Sequence, residues 1–245
     1  MKKGGTALIL GVGIAFIVSL WGLGWGFPLV LVPHLELNKI EVEGYHHIDK
    51  KQILEAASIH PRTPILKINL KEIAQRVESL PWVRSCEARR ILPDTLLLRI
   101  VERKPVALLL LGRFYYVDED GTPFKEPTSG ETLDFPVITG LTVQDWNKGV
   151  GIAHVQEALI FLKEVHNVHH LSKEGISEVH LNEFGELTIF TVKKGVRIKL
   201  GRGDTQLKLK RLEAVWKRIM TKQIPVKYIL CEHPDRIVVG LEERG

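Results

Sequence analysis

The sequence predicts an α+β protein: a membrane-spanning helix, a domain of order β-α-α-β-β, and a second α+β domain on a mainly antiparallel sheet. Three observations carry this. The run from Thr6 to Val32 holds no charged residue, and a bilayer-crossing helix needs only about 20 apolar residues. Between Leu37 and Arg103 the apolar period changes from about 2 residues to about 3.6 and back. Beyond Pro105, short alternating segments separated by glycine turns are interrupted by two helical stretches.

The chain has 245 residues, 44% hydrophobic and 26% charged. A length of roughly 100 to 200 residues per domain allows one or two compact domains, and the charge runs are too short and too mixed for a disordered polypeptide. A cleaved signal peptide has an apolar core of about 7 to 15 residues followed by small residues. Here the run is longer, and Trp25, Phe27, Leu29 and Val30 stand where small residues would be needed. The expectation is an uncleaved signal anchor over residues 6–33 behind a cytoplasmic tail of residues 1–5. Lys2 and Lys3 keep the amino terminus inside and place everything after Pro33 outside the cytoplasmic membrane, in a periplasm if the host has an outer membrane. The formal net charge is +5, two of it from those lysines, so the remainder is too balanced to predict nucleic-acid binding. Cys86 and Cys231 then lie in an oxidising compartment, but in different domains, which favours two buried thiols over a disulfide.

In the first domain, "LNKIEVEG" places Ile40 and Val42 on one strand face and Lys39, Glu41 and Glu43 on the other, with Gly44 ending the strand. Asp49 with Gln52, and Asn69 with Glu72, have the spacing of capping boxes, in which side chains satisfy the free amides of a helix start. The second box opens a stripe of Leu70, Ile73, Ala74, Val77 and Leu80 at helical spacing, which Pro81 stops. Val83 to Ile91 and Thr95 to Arg103 read as a hairpin turning at Pro93 and Asp94. Leu96, Leu98 and Ile100 should face the helices, while the flanking arginines keep an open strand edge soluble.

The second domain opens with two strands, "VALLLLG" and "RFYYVDEDGTPF". A helix near Ile152 to Val168 follows "DFPVITGL". Strands at Ile176–Leu181, Leu187–Val192 and Val196–Leu200 come next, consecutive and joined by hairpins. Asp204 caps a helix reaching about Thr221, and strands near Val226–Cys231 and Arg236–Leu241 close the chain.

No catalytic constellation is found. His166 and His170, four apart in "HNVHH", could share one helix face and a metal, but no third ligand accompanies them; His46 and His47 in "YHHID" are equally alone. "LGRGDT" has a glycine-flanked turn before a helix, yet neither a Walker nor a dinucleotide spacing, so Asp204 reads as a helix cap. No nucleophile elbow or local Cys/His signature is present. No enzyme activity, cofactor, metal or small-molecule substrate is expected.

The residues do resemble a family. "IEVEG", "LPWVRSCEARRILPDTLLLRIVERKPVA", "VDEDGTPF", "FPVITGL" and "KLGRGDTQLKLKRL", in this order behind one span, resemble FtsQ/DivIB, the bitopic bacterial cell-division proteins. The most specific part is carried by Pro81, Trp82, Val83, Arg90, Pro93, Thr95, Leu96, Glu102, Arg103 and Pro105. The resemblance implies a POTRA domain, residues 35–104, followed by a family-specific β domain, residues 105–245. It further implies a non-enzymatic, essential-type scaffold of the divisome that joins upstream division proteins to FtsB and FtsL at the septum, with FtsB added as a strand to the last strand of the β domain. The corresponding residues are Tyr228, Ile229, Glu232, His233, Ile237, Val238 and Val239. Glu232 departs from the family's arginine, so FtsB's matching charge is expected to differ, and Val238 is the amide expected to bond the partner. The alternative is another POTRA-bearing factor of envelope assembly or secretion, but such proteins carry serial repeats and a barrel, which this sequence lacks. An anchored envelope hydrolase would need a site assembled only in three dimensions.

Overall fold

The computed structural model describes residues 35–131, 133–233 and 236–242, so the expected tail and span (residues 1–33) lie outside the described residues. No helix among the described residues is long and apolar enough to cross a membrane. The chain divides into two compact units between Arg103 and Lys104.

In the first unit, β1 (Lys39–Glu43) is followed by α1 (Lys50–Ala57), a 3-10 turn (Ile65–Lys67), α2 (Leu70–Glu78), β2 (Val83–Ile91) and β3 (Thr95–Glu102). The sheet order is β1-β3-β2, with β1 parallel and β2 antiparallel to β3. The Gln52 carbonyl accepts the Asp49 amide at 3.4 Å, as the first capping box requires. In the second box only the Asn69 half forms, accepting the Glu72 amide at 3.3 Å, because Glu72 pairs with Arg76 one turn on, also at 3.3 Å. Leu96, Leu98 and Ile100 are buried against Ile53, Ile73 and Val77 of the helices. Arg89 and Arg90 do lie on the edge strand β2, but Arg99 needs a correction, since it lies on the central strand β3. It reaches Glu43 on β1 at 3.3 Å and Glu87 on β2 at 3.9 Å, so the charged face is a set of cross-strand ion pairs. At the β2 edge, Glu78 accepts the Cys86 amide at 2.9 Å.

The second unit is a nine-stranded sheet among the described residues, in the order β12-β11-β10-β9-β8-β7-β4-β5-β6. Its strands are β4 (Pro105–Leu111), β5 (Arg113–Asp118), β6 (Pro123–Lys125), β7 (Val137–Thr139), β8 (Ile176–Leu181), β9 (Leu187–Thr191), β10 (Arg197–Gly201), β11 (Val226–Leu230) and β12 (Val238–Leu241). The sheet is mixed: five of its eight strand pairs are antiparallel, but β4–β7, β7–β8 and β10–β11 are parallel. A parallel pair needs a crossover, and helices supply two of them. One comprises α3 (Val143–Asn147), α4 (Val150–Val165) and α5 (His169–Glu174), between β7 and β8. The other is α6 (Thr205–Lys222), between β10 and β11. The short elements β6, β7, α3 and α5 escape the sequence reading because three to six residues show no full hydrophobic period.

Val155, Ala158, Phe161 and Val165 of α4 and Leu209, Leu212, Trp216 and Ile219 of α6 bury one face of this sheet in a common core with Ile138, Val179, Ile189, Ile198 and Ile229. Asp204 caps α6 as expected, accepting the Leu207 amide at 3.0 Å. Its own carboxylate thus occupies one of the amides that a phosphate would require, and "LGRGDT" serves as a turn and a cap. The buried carboxylate of Asp118 accepts the amides of Asp120 (3.1 Å) and Thr122 (2.9 Å) and shapes the "VDEDGTPF" turn.

Candidate functional site

The expected partner-binding residues sit at one end of the large sheet. β11 lies between β10, which it pairs in parallel, and β12, which it pairs antiparallel, so β12 is the terminal strand among the described residues. The Cys231 amide donates to the Lys199 carbonyl on β10 at 2.8 Å. Successive residues of a strand direct their peptide groups to opposite sides, so Ile229 faces β10 while Tyr228 and Leu230 face β12. Their register partners, Gly240 and Val238, therefore turn amides and carbonyls inward. The Glu242 amide, donating to Pro225 at 3.1 Å, keeps the same alternation. Val239 and Leu241 are left with peptide groups directed outward from the edge. Val238, the amide expected from the sequence to meet a partner, is one of the inward ones.

Side chains alternate in the other sense, across the sheet. Ile229 is fully buried in the core, and Ile237 and Val239 pack partly against it on the helical face. Tyr228 and Val238 lie on the opposite face. There a Cβ on Gly240 would fall 2.3 Å from the Tyr228 ring, so the ring lies across bare backbone that only glycine provides. The Arg197 guanidinium lies 5.8 Å from the centroid of that ring. Glu232, just past β11, pairs with Lys199 at 2.6 Å, and this hydrogen bond raises the lysine pKa above its ordinary value. The charge of Glu232 is thus compensated within the chain, which changes the expectation of a reversed partner charge. His233 is exposed beside it. The geometry brings Tyr228, Ile229, Val238 and Val239 side by side and leaves Glu232, His233 and Ile237 at the rim. Sequence reasoning missed Arg197, Lys199 and Gly240; of these, a glycine inside a strand pattern was the readable signal of close approach.

The motif residues of the first unit have structural work within it. The Arg90 guanidinium donates to the Ile65 carbonyl at 2.8 Å and also to that of Ile68, tying the 3-10 turn to β2. Val83 is fully buried, Pro81 precedes β2, and Pro93 lies in the β2–β3 turn. The Trp82 carbonyl accepts the Arg103 amide at 2.8 Å, and its ring stacks on His47 at 4.6 Å. Glu102, with a side chain only 7% exposed, accepts the amides of His46 (2.7 Å), His47 (2.9 Å) and Ile48 (3.2 Å) and meets His47 Nδ1 at 2.9 Å. This carboxylate locks the end of β3 to the turn between β1 and α1. Pro105 begins β4 of the second unit, paired with Asp118.

Burial opposes ionisation of Glu102, but the bonds from the His46 amide, the His47 side chain and the His47 and Ile48 amides outweigh it and hold its pKa below the ordinary glutamate value. A carboxyl with a lowered folded-state pKa stabilises the fold above its unfolded-state pKa, and that stabilisation is lost as pH falls through the lowered value. Glu102→Gln is therefore expected to lower the urea midpoint of the first unit clearly at pH 7 and progressively less below the glutamate range. A midpoint difference that stays constant with pH would refute this electrostatic role.

Among the described residues no cluster of three metal-ligating side chains exists. The expected helix near Ile152 to Val168 ends at Val165 and restarts at His169, so His166 and His170 do not share a helix face. His170 pairs instead with Glu213. Cys86 and Cys231 are free and buried, and burial pushes both thiols up to about 11.

Two family models match the chain. "POTRA domain, FtsQ-type" covers residues 35–103, and "Cell division protein FtsQ/DivIB, C-terminal" covers residues 109–229, ending before β12. A cell division protein FtsQ from Geotalea daltonii is 32% identical over 244 residues, spanning 96% of this chain and 84% of that protein. One from Geobacter sp. strain M21 is 33% identical over 241 residues, spanning 96% and 85%. The Mycobacterium bovis FtsQ is 32% identical over 123 residues, spanning 50% of this chain and 38% of its own length.

Proposed function

The chain belongs to the FtsQ/DivIB family of cell-division proteins, and on that premise we propose that it is a non-enzymatic scaffold whose terminal strand β12 receives FtsB, together with FtsL, by strand addition at the division septum. The observation that carries the proposal is the outward direction of the Val239 and Leu241 peptide groups on a terminal strand. An unpaired edge is a ready template for a partner backbone. The first unit, in this reading, recruits the protein and meets upstream division proteins. Residues 6–33 are the anchor in the cytoplasmic membrane, with the amino terminus inside and both units outside; the uncharged run from Thr6 to Val32 behind Lys2 and Lys3 supports that topology.

The test is depletion of the protein in living cells followed by rescue. Cells that lose it should grow as filaments with unconstricted septa. The full chain should restore division, and a chain truncated before Pro234, which lacks β12, should not. Normal division after depletion, or rescue by the truncated chain, would overturn the reading.

A further inference from the structure

The first unit carries an apolar tip at the end where the chain enters it. Leu66 is 48% exposed, Ile91 45% and Leu92 59%, in a unit whose other large apolar side chains are mostly buried. The three belong to one feature. Leu66 lies in the 3-10 turn that Arg90 ties to β2, one and two residues ahead of Ile91 and Leu92. The entering segment runs along both loops: the Leu35 carbonyl accepts the Ile65 amide at 2.8 Å, and the Asn38 amide donates to Asp94 at 2.9 Å. Lys39 of β1 is in register with Thr95 at the start of β3, so this is the hairpin end of the sheet. The chain leaves at the other end of β3, roughly 25 Å away at about 3.3 Å per residue.

Position follows from chain length. Val32, the last aliphatic residue before Pro33 closes the expected span, is three residues before Leu35, which is held by Ile65. Three residues span at most about 10 Å, comparable to the headgroup layer that flanks the roughly 30 Å hydrocarbon core. A tip tethered that closely has the bilayer surface as its neighbour. Arg62 and Lys67 flank it, both exposed and without an acidic partner among the described residues. Glu36, bridged to Pro64, and Asp94, held by Asn38, are the acidic groups of this end, so the two cations flank the apolar side chains without enclosing them. Exposed apolar side chains with flanking cations match an interface of acyl chains beneath anionic headgroups.

We propose that this hairpin end rests on the outer surface of the membrane, with Leu66, Ile91 and Leu92 entering the headgroup region and Arg62 and Lys67 facing anionic phospholipids. The inference rests on the reading of residues 6–33 as the anchor. Its effect is to fix which end of the first unit faces the lipid and which leads away.

The experiment uses the full chain in phosphatidylcholine vesicles containing phosphatidylglycerol. A fluorophore is placed at Leu92→Cys or, as the far-end control on the same sheet, at Val101→Cys; the buried native thiols stay unlabelled. Lipids bearing a nitroxide high on the acyl chain should quench the probe at 92 several-fold more than the probe at 101. Omitting phosphatidylglycerol, or combining Arg62→Glu with Lys67→Glu, should reduce the signal at 92 several-fold. Equal quenching at both positions in a chain that resists alkaline extraction would overturn this inference while leaving the anchor intact. Quenching at 92 indifferent to lipid charge would remove Arg62 and Lys67 from it. Release of the chain by alkaline extraction would instead overturn the anchor reading.

Discussion

Val239→Pro is expected to weaken FtsB binding by about 10- to 100-fold, the equivalent of roughly 1.4 to 2.7 kcal/mol, while costing the free protein only the partial packing of the Val239 side chain. The Val239 amide faces outward, so in the free protein proline removes a group bonded only to water, and edge strands tolerate proline there. In the complex the same change deletes a ladder hydrogen bond, worth about 0.5 to 1.5 kcal/mol, and sets a pyrrolidine ring against the incoming backbone. Val238→Pro should behave differently. Its amide faces Leu230 on β11, so proline there breaks pairing inside the sheet and lowers the stability of the terminal hairpin before any partner arrives. The pair is read by titrating FtsB into each variant and following amide exchange of β11 and β12 in the free proteins. Equal binding by wild type and Val239→Pro would refute strand addition at this edge.

Gly140→Ala should destabilise the second unit by about 3 to 5 kcal/mol, near the upper end for single substitutions. Two effects act together. Gly140 has φ +91°, which side chains rarely adopt, and an added Cβ would lie 1.9 Å from the carbonyl oxygen of Leu181. That neighbour is backbone at the end of β8, held in the ladder with β9, and cannot swing aside as a side chain would. Relief requires β7 and β8 to separate, although β7 is the strand joining the two halves of the sheet. Denaturant unfolding of the variant checks this. A loss below about 1 kcal/mol would show that the loop after β7 relaxes freely.

Much of the first unit was legible because its signals are local. A period of two, two capping patterns and one stopping proline place β1, α1, α2, β2 and β3 within a residue or two of their observed limits. The family resemblance was equally local, carried by "LPWVRSCEARRILPDTLLLRIVERKPVA" and "KLGRGDTQLKLKRL". What the motif side chains do was not legible. Arg90 read as one of the arginines at a strand edge and Glu102 only as a motif residue, yet one binds carbonyls 22 to 25 residues away and the other binds amides 54 to 56 residues away. Neither distance leaves a mark on nearby spacing.

The candidate site divides in the same way. By itself the sequence determined the family, the order of the principal elements, the two closing strands and the lack of any local catalytic signature, since each depends on residue types at short spacing. Only the tertiary structure decided that three strand pairs are parallel, that Lys199 compensates Glu232, and that Val239 rather than Val238 offers its amide at the edge. The physical reason is register. A strand has two sides, and which one is left unpaired is set by the neighbour it docks against, here β11, whose own orientation is fixed by β10 across the α6 crossover.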